Sequence, residues 1–159
     1  MREYGRIVNV SNRYGNMILQ QASQALQEKY ASPTLTKDQL ECLVEEFISA
    51  IGTNSLKSLG YNSQSKFFVY GVTKAALNAL TQVEAREWST TKNLLVVGVT
   101  PGFCATDMTG YAASARSAIL GADSILYVVN TSRNELENGG FYYDGKRIPL
   151  INESLPNDQ

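Results

Sequence analysis

Short apolar runs bounded by glycine, proline and polar residues predict three strands. They extend from Gly5 to Ser11, from Leu94 to Val99 and from Gly140 to Tyr143. The second run is continuously apolar apart from one glycine, which is typical of a strand covered on both faces. Thr100-Pro101-Gly102 follows it at once and ends it. The third run is closed by the turn residues Asp144-Gly145.

Between these strands, apolar residues recur at the spacing of helices. This period predicts helices over Asn16 to Tyr30, from the capping box at Thr36 to Gly52, from Phe68 to Ser89 and from Ala115 to Val129. The second of these places Leu40, Leu43, Val44, Phe47, Ile48 and Ile51 on one apolar face. Thr53 to Lys66 is polar and is predicted to be a loop. Strands separated by such long helical crossovers are parallel, so we predict an α/β fold.

The charge balance excludes a nucleic-acid partner. The chain has 159 residues, a formal net charge of -1 and only 18% charged residues, whereas binding to phosphates requires clustered lysine and arginine. No apolar run approaches the length of a membrane span, and the first residues lack the order of a signal peptide. We therefore expect no membrane partner.

The residue types that are missing or rare narrow the chemistry further. With no histidine in the chain, Ser-His-Asp triads, Cys-His pairs and His-ligated zinc sites are excluded, and we expect no metal. Cys42 and Cys104 lie far apart in the sequence, which predicts buried thiols in a reducing compartment. We therefore expect a cytoplasmic protein.

One pair of residues carries candidate chemistry. Tyr70 and Lys74 stand four residues apart at a helix start in Tyr-Gly-Val-Thr-Lys, so both project from one helix face. An ammonium group near a phenol favours the phenolate and lowers the pKa of the tyrosine, as a general acid for carbonyl reduction requires. Tyr142 and Lys146 have the same spacing, but they flank a turn, so we interpret that pair as a coincidence.

The order of these motifs resembles that of the short-chain dehydrogenase/reductase family. The matching pieces are Gly5 to Ser11, Tyr70 to Lys74, Pro101-Gly-Phe-Cys-Ala-Thr-Asp-Met108 and Gly139 to Gly145. Among its branches, the chain is most similar to the NADPH-dependent carbonyl reductases, which share a long helical insertion like residues 16–66. The resemblance implies the last three strands of a Rossmann-like, doubly wound parallel sheet with flanking helices, in a domain over residues 1–150 followed by a polar tail at 151–159.

The resemblance also implies roles for individual residues. Tyr70 would protonate the oxygen of a small-molecule carbonyl substrate, a ketone, aldehyde or quinone, and Lys74 would bind the nicotinamide ribose of NADPH. The segment from Pro101 through Gly102, Cys104 and Ala105 to Thr106 would lie along the nicotinamide side of the cofactor. In isolation, Pro101-Gly102 would indicate only an ordinary turn.

Asn12 marks a departure from the family pattern. The family carries its catalytic hydroxyl group where this chain has Asn12, in Asn9-Val-Ser-Asn-Arg-Tyr-Gly15. An asparagine amide can donate a hydrogen bond to a carbonyl oxygen, but it cannot relay a proton. Asn12 therefore predicts weakened catalysis, although Ser11 and Asn12 also fit simple turn formers at a strand end.

A second departure concerns the cofactor. No Gly-rich dinucleotide turn occurs in the 159 residues, and the chain matches only the carboxyl-terminal half of the family pattern. Two hypotheses remain: an NADPH-dependent carbonyl reductase, or a catalytically inactive relative that acts as an interaction module or is an incomplete gene product. The resemblance implies a monomer for a complete protein, whereas the first strand would present an unpaired edge for association in a truncated one.

Overall fold

The computed structural model describes residues 5–91 and 93–151, which pack as two compact units. The sheet unit comprises residues 5–13 and 80–148, and the helical unit comprises residues 14–79 and 149–151. The tail predicted at 151–159 lies outside the described residues beyond Ile151.

The sheet unit contains four strands in the order β1-β2-β3-β4. They are β1 (Gly5–Val10), β2 (Leu94–Val99), β3 (Phe141–Tyr143) and β4 (Lys146–Ile148). β1 pairs with β2 and β2 with β3 in parallel, which confirms the α/β prediction.

The prediction of only three strands, all parallel, is wrong because β4 pairs antiparallel with β3. Asp144 and Gly145 have φ values of 48° and 77°, so they form the two-residue turn with left-handed central residues that joins tight hairpins. The turn was predicted from the sequence, but the short strand β4 that follows it was not.

The helices of the chain agree in part with the predictions. They are α1 (Tyr14–Gln20), α2 (Gln24–Ala31), α3 (Lys37–Thr53), α4 (Phe68–Thr91) and α5 (Ala118–Asn130), with short 3-10 turns at Asp107–Thr109 and Arg133–Glu135. Residues 68–79 of α4 belong to the helical unit and residues 80–91 to the sheet unit. None of the helices that the structure describes combines the length and apolar character needed to cross a bilayer.

The single helix predicted from Asn16 to Tyr30 is two helices. Ser23 caps α2, since its side chain accepts a hydrogen bond from the backbone N–H of Leu26. The N–H of Ser23 is bonded to the carbonyl of Gly60 at 2.8 Å. This long-range bond draws Ser23 out of a continuous helix, which the local period does not reveal.

The capping box of α3 is confirmed, but the residue that ends this helix is not Gly52. Thr36 and Gln39 exchange both bonds of the box, at 3.0 and 3.2 Å. The helix continues to Thr53 and is capped by Asn54, whose left-handed backbone has a φ of 56°. Asparagine tolerates this conformation because its short polar side chain bonds locally.

The buried stripe of α3 is narrower than its apolar pattern, since Ile48 and Ile51 are exposed. Cys42 is also exposed, so its predicted burial is wrong. The residues of α3 that are buried are Leu40, Leu43, Phe47 and Ala50. Cys104, the second cysteine predicted to be buried, is half-buried.

One side of the sheet is covered by α5, which packs on β1, β2 and β3. The core on this side joins Leu95, Val97 and Val99 of β2 to Val128, Leu136 and Tyr142. The continuous apolar character of β2 follows from its central position, with a strand on either side.

Candidate functional site

Tyr70 and Lys74 lie one turn apart near the start of α4, in the helical unit. The Lys74 Nζ atom lies 5.7 Å from the centroid of the Tyr70 ring, within the range of a cation–π interaction. The Tyr70 side chain is 44% exposed, so it is accessible to a small molecule. The helical spacing therefore produces the proximity of ammonium and phenol that was expected of this pair.

The Tyr14 ring adjoins Tyr70, and the Phe67 ring in turn adjoins Tyr14; neither residue was predicted from the sequence to be part of the site. The Tyr14 ring lies 6.5 Å from that of Tyr70 and 5.8 Å from that of Phe67, in an edge-to-face arrangement. The hydroxyl groups of Tyr14 and Ser65 lie 3.1 Å apart, and the Ser65 oxygen also accepts the N–H of Phe67. The sequence feature that could have indicated Phe67 is its position as an aromatic residue directly before the predicted helix, next to Ser65-Lys66.

Glycines bring α1 close to the start of α4. A side chain at Gly15 would lie 2.5 Å from the backbone nitrogen of Ala75, and one at Gly71 would collide with Ile18. The backbones therefore approach more closely than larger residues would allow. This approach places the Tyr14 ring beside Tyr70.

Asn12 and the segment from Pro101 to Thr106 lie in the sheet unit, at the carboxyl ends of β1 and β2. The N–H of Ser11 donates to the carbonyl of Val99 at 2.8 Å, which continues the parallel pairing one residue beyond β1. Ser11 is buried, and Asn12 is half-buried. Carboxyl ends of parallel strands are where open α/β sheets bind ligands.

Backbone N–H groups in the segment after β2 already have partners within the chain. The N–H of Gly102 donates to Thr100 Oγ1 at 3.1 Å, that of Ala105 to the carbonyl of Arg116 at 2.8 Å and that of Thr106 to Thr109 Oγ1 at 3.0 Å. The thiol of Cys104 donates to the carbonyl of Pro101 at 3.2 Å. These bonds fix the loop, so a ligand would contact its side chains and outer surface.

The predicted site residues therefore fall into two groups. Tyr70 and Lys74 meet in the helical unit, and Asn12 and the segment 101–106 belong to the sheet unit. The second tyrosine–lysine match is structural: Tyr142 is buried, and its hydroxyl group accepts the N–H of Glu137 at 2.8 Å.

A depression of about 360 Å³ in the helical unit lies away from these residues. It is lined by parts of α2 and α3 and by residues 57–61. Tyr70 and Lys74 are not among its lining residues, so this depression does not mark the candidate site. Among the described residues, no group of three or more cysteine, aspartate or glutamate side chains is arranged to hold a metal ion.

Comparison with known proteins connects these observations. The family model described as short chain dehydrogenase matches residues 48–117, which include Tyr70, Lys74 and the segment 101–106. Carbonyl reductase [NADPH] 1 of Sus scrofa is 31% identical over 93% of this chain and 51% of its own length. The chain is similar to members of the short-chain dehydrogenase/reductase family.

Two further proteins are similar to this chain, and the chain again matches about half of the length of each. Carbonyl reductase [NADPH] 1 of Homo sapiens is 30% identical over 93% of this chain and 53% of its own length. The structure of salutaridine reductase from Papaver somniferum matches 86% of this chain and 44% of that chain, with 25% identity and a TM-score of 0.71. This likeness supports a partial Rossmann-like fold. The chain spans about half the length of the curated relatives it matches.

Proposed function

We propose that this chain carries the proton-donating part of an NADPH-dependent reductase that converts carbonyl compounds, such as ketones, aldehydes and quinones, to alcohols. The observation that carries the proposal is the half-exposed Tyr70 phenol with the Lys74 ammonium group 5.7 Å from its ring centroid. The names of the relatives, carbonyl reductase [NADPH], supply the cofactor and the substrate class.

The proposed chemistry assigns one proton transfer to the chain itself. The reduced nicotinamide supplies a hydride to the carbonyl carbon when it is bound. The Tyr70 phenol donates its proton to the carbonyl oxygen, which completes the alcohol. The positive charge of Lys74 stabilises the phenolate left on Tyr70, and its ammonium group holds the ribose of the nicotinamide.

The residues proposed to hold the nicotinamide side of NADPH are Pro101, Gly102, Cys104, Ala105 and Thr106. Their loop is fixed by its own hydrogen bonds, so it offers a rigid surface to a flat ring. The hydroxyl group of the half-buried Thr106 is the polar side chain of this set suited to the carboxamide or the pyrophosphate. By resemblance to the family, Tyr70, Lys74 and Thr106 would each donate a hydrogen bond to the nicotinamide end of the cofactor.

Asn12 is proposed to orient the substrate. Its amide can donate a hydrogen bond to the carbonyl oxygen, where family members use a hydroxyl group. Because an amide does not relay protons, we expect slower turnover than in a relative with serine at this position.

The wider organisation follows from the same proposal. Residues 1–150 would form part of a reductase domain with a helical insertion at 16–66, and 151–159 would be a polar tail. We propose a cytoplasmic protein whose partner is a small carbonyl compound rather than a nucleic acid or a membrane. A complete protein of this kind would be monomeric.

The substitution Tyr70→Phe tests the proton donor. Phenylalanine keeps the ring but has no proton to donate, so NADPH-dependent turnover of a quinone should fall by about 10²- to 10⁴-fold. Tyr111→Phe is the matched control, because Tyr111 is an exposed tyrosine in the sheet unit. Turnover that survives in Tyr70→Phe would show that the proposed acid is wrong.

A second candidate function is an inactive relative that acts as an interaction module. Asn12 in place of the hydroxyl residue favours it. Titration of NADPH onto the purified chain separates the two functions. Saturable binding at micromolar concentration would contradict the inactive module, whereas no binding would contradict catalysis by this chain alone.

A further inference from the structure

Two arginine side chains share one tyrosine ring in the sheet unit. The guanidinium carbons of Arg13 and Arg116 each lie 5.2 Å from the centroid of the Tyr143 ring. Arg13 follows the carboxyl end of β1, and Tyr143 is the last residue of β3. The cluster of Arg13, Arg116 and Tyr143 therefore stands at the edge of the sheet where its parallel strands end.

Arg116 is held firmly in this cluster. Its Nη1 atom forms an ion pair with Asp144 Oδ2 at 2.9 Å, and its Nη2 atom donates to the carbonyl of Leu120 at 3.2 Å. The hydrogen bond to Asp144 raises the pKa of Arg116 above its ordinary value. The Arg116 side chain is 18% exposed, so this fixed positive charge still reaches the surface.

The backbone of the Pro101-Gly102 turn lies directly against the cluster. A side chain at Gly102 would lie 2.9 Å from the Arg116 Cδ atom and 3.1 Å from the Tyr143 ring, at a φ of 78°. Only a glycine fits this close approach without strain. The cluster thus adjoins the segment that we assign to the nicotinamide side of the cofactor.

The chemistry of the cluster favours an anion with several oxygen atoms. A guanidinium group is a planar fork of N–H donors that matches carboxylate and phosphate oxygens in pairs. A tyrosine ring attracts a cation through its π face, and the Tyr143 ring positions both guanidinium groups in this way.

We propose that Arg13, Arg116 and Tyr143 form a binding site for the carboxylate or phosphate group of a small ligand. The position at the carboxyl edge of the parallel strands is where ligands enter open α/β sheets. Two sources supply such a group: a carboxylated substrate and the phosphate of a nucleotide cofactor. The site is independent of the proposed proton donor, because it needs neither Tyr70 nor turnover.

Binding is tested by nuclear magnetic resonance on the nitrogen-labelled full chain, with the arginine side-chain N–H signals as the readout. Benzoate and inorganic phosphate are the probes. We expect either probe to shift the signals of Arg13 and Arg116 in a saturable manner. The substitution Arg13→Gln should weaken binding on the order of ten-fold, since a charge-assisted bond is lost.

Matched variants separate a specific site from general surface charge. Arg147→Gln is the control, because Arg147 is an exposed arginine of the same unit that pairs with Glu137. Arg13→Lys keeps the charge without the fork and should retain part of the affinity. Equal affinity in Arg13→Gln and Arg147→Gln, or no shift of the two signals with either probe at millimolar concentration, would overturn the proposal.

Competition with NADP⁺ identifies the source of the anion. If NADP⁺ displaces benzoate from the cluster, the site takes a cofactor phosphate, and if both bind together, it takes a substrate carboxylate. If neither probe shifts the arginine signals while Tyr70-dependent turnover is observed, only the anion-site proposal is overturned. Anion binding without any turnover would remove the reductase proposal alone.

Discussion

The hydroxyl groups of Tyr30 and Tyr61 lie 3.0 Å apart in the buried interior of the helical unit. Burial raises the pKa of both tyrosines, and for Tyr61 the neighbouring Tyr30 raises the pKa further. Each hydroxyl group satisfies the other, which offsets the cost of taking two polar groups out of water. Two residues that are 31 positions apart in the sequence thus depend on one another.

The tyrosine pair makes the stability of the folded chain sensitive to alkaline pH. In the unfolded chain both phenols ionise near pH 10, the ordinary value, whereas the raised pKa values keep them protonated when folded. The stabilisation is complete below about pH 10 and is lost as the pH rises above it, by up to about 1.4 kcal/mol per tyrosine and pH unit.

The substitution Tyr61→Phe should therefore reduce the loss of stability between about pH 8 and about pH 11, while costing about 1 kcal/mol at neutral pH through the lost hydrogen bond. Urea unfolding at both pH values measures the free energy of unfolding of the variant and of the original chain. Tyr111→Phe, at an exposed position, should leave the pH dependence unchanged. If Tyr61→Phe loses as much stability on the alkaline side as the original chain, the buried pair does not control it.

At the scale of elements, one arginine connects β1 to the end of α5. The guanidinium group of Arg6 donates to the carbonyls of Val128, Val129 and Thr131 at 2.5, 2.7 and 2.8 Å. The last carbonyls of a helix have no partner within the helix, and they carry partial negative charge. Arg6 satisfies three of them at once and so fixes α5 on the sheet.

We expect Arg6→Met to lower the free energy of unfolding by about 1 to 2 kcal/mol, since methionine keeps an apolar stem but leaves these carbonyls without their donor. Chemical denaturation followed by circular dichroism measures the change. Arg147→Met is the control, because its exposed ion pair with Glu137 should contribute well under about 1 kcal/mol. Equal losses in the two variants would show that Arg6 does not stabilise α5.

At the scale of the whole molecule, β1 lies at one edge of the sheet that the described residues form. Among the residues that the structure describes, β1 pairs with β2 and with no other strand. An edge strand with free backbone groups is a template for pairing with another chain. Apolar side chains are also exposed on α5, so an associating chain has two different surfaces to use.

Two matched valines distinguish these surfaces. Val10 at the end of β1 is 47% exposed, and Val129 on α5 is 46% exposed. If association uses the strand edge, Val10→Lys should suppress concentration-dependent self-association in analytical ultracentrifugation, because charge on an edge strand opposes pairing. Val129→Lys should then have little effect. The opposite result would assign the association to α5.

Local sequence patterns are enough to predict some elements of the fold. The start of α4, the bounds of β2 and the capping box of α3 follow from residues that are adjacent or one turn apart. The break at Ser23 depends on the distant carbonyl of Gly60, and the pairing of β3 with β4 depends on a ladder of only three residues on each strand. Features of this kind produce no recognisable hydrophobic periodicity, so the sequence does not predict them.

By itself, the sequence determined the α/β class, the resemblance to the short-chain dehydrogenase/reductase family and the spacing that brings Lys74 over Tyr70, because each depends on period or on motif order along the chain. The tertiary structure decided which side chains surround these residues. It placed Tyr14 beside Tyr70, and it gathered Arg13, Arg116 and Tyr143 at one edge of the sheet. The physical reason is that parallel pairing brings together strand ends that are separated by long helical crossovers.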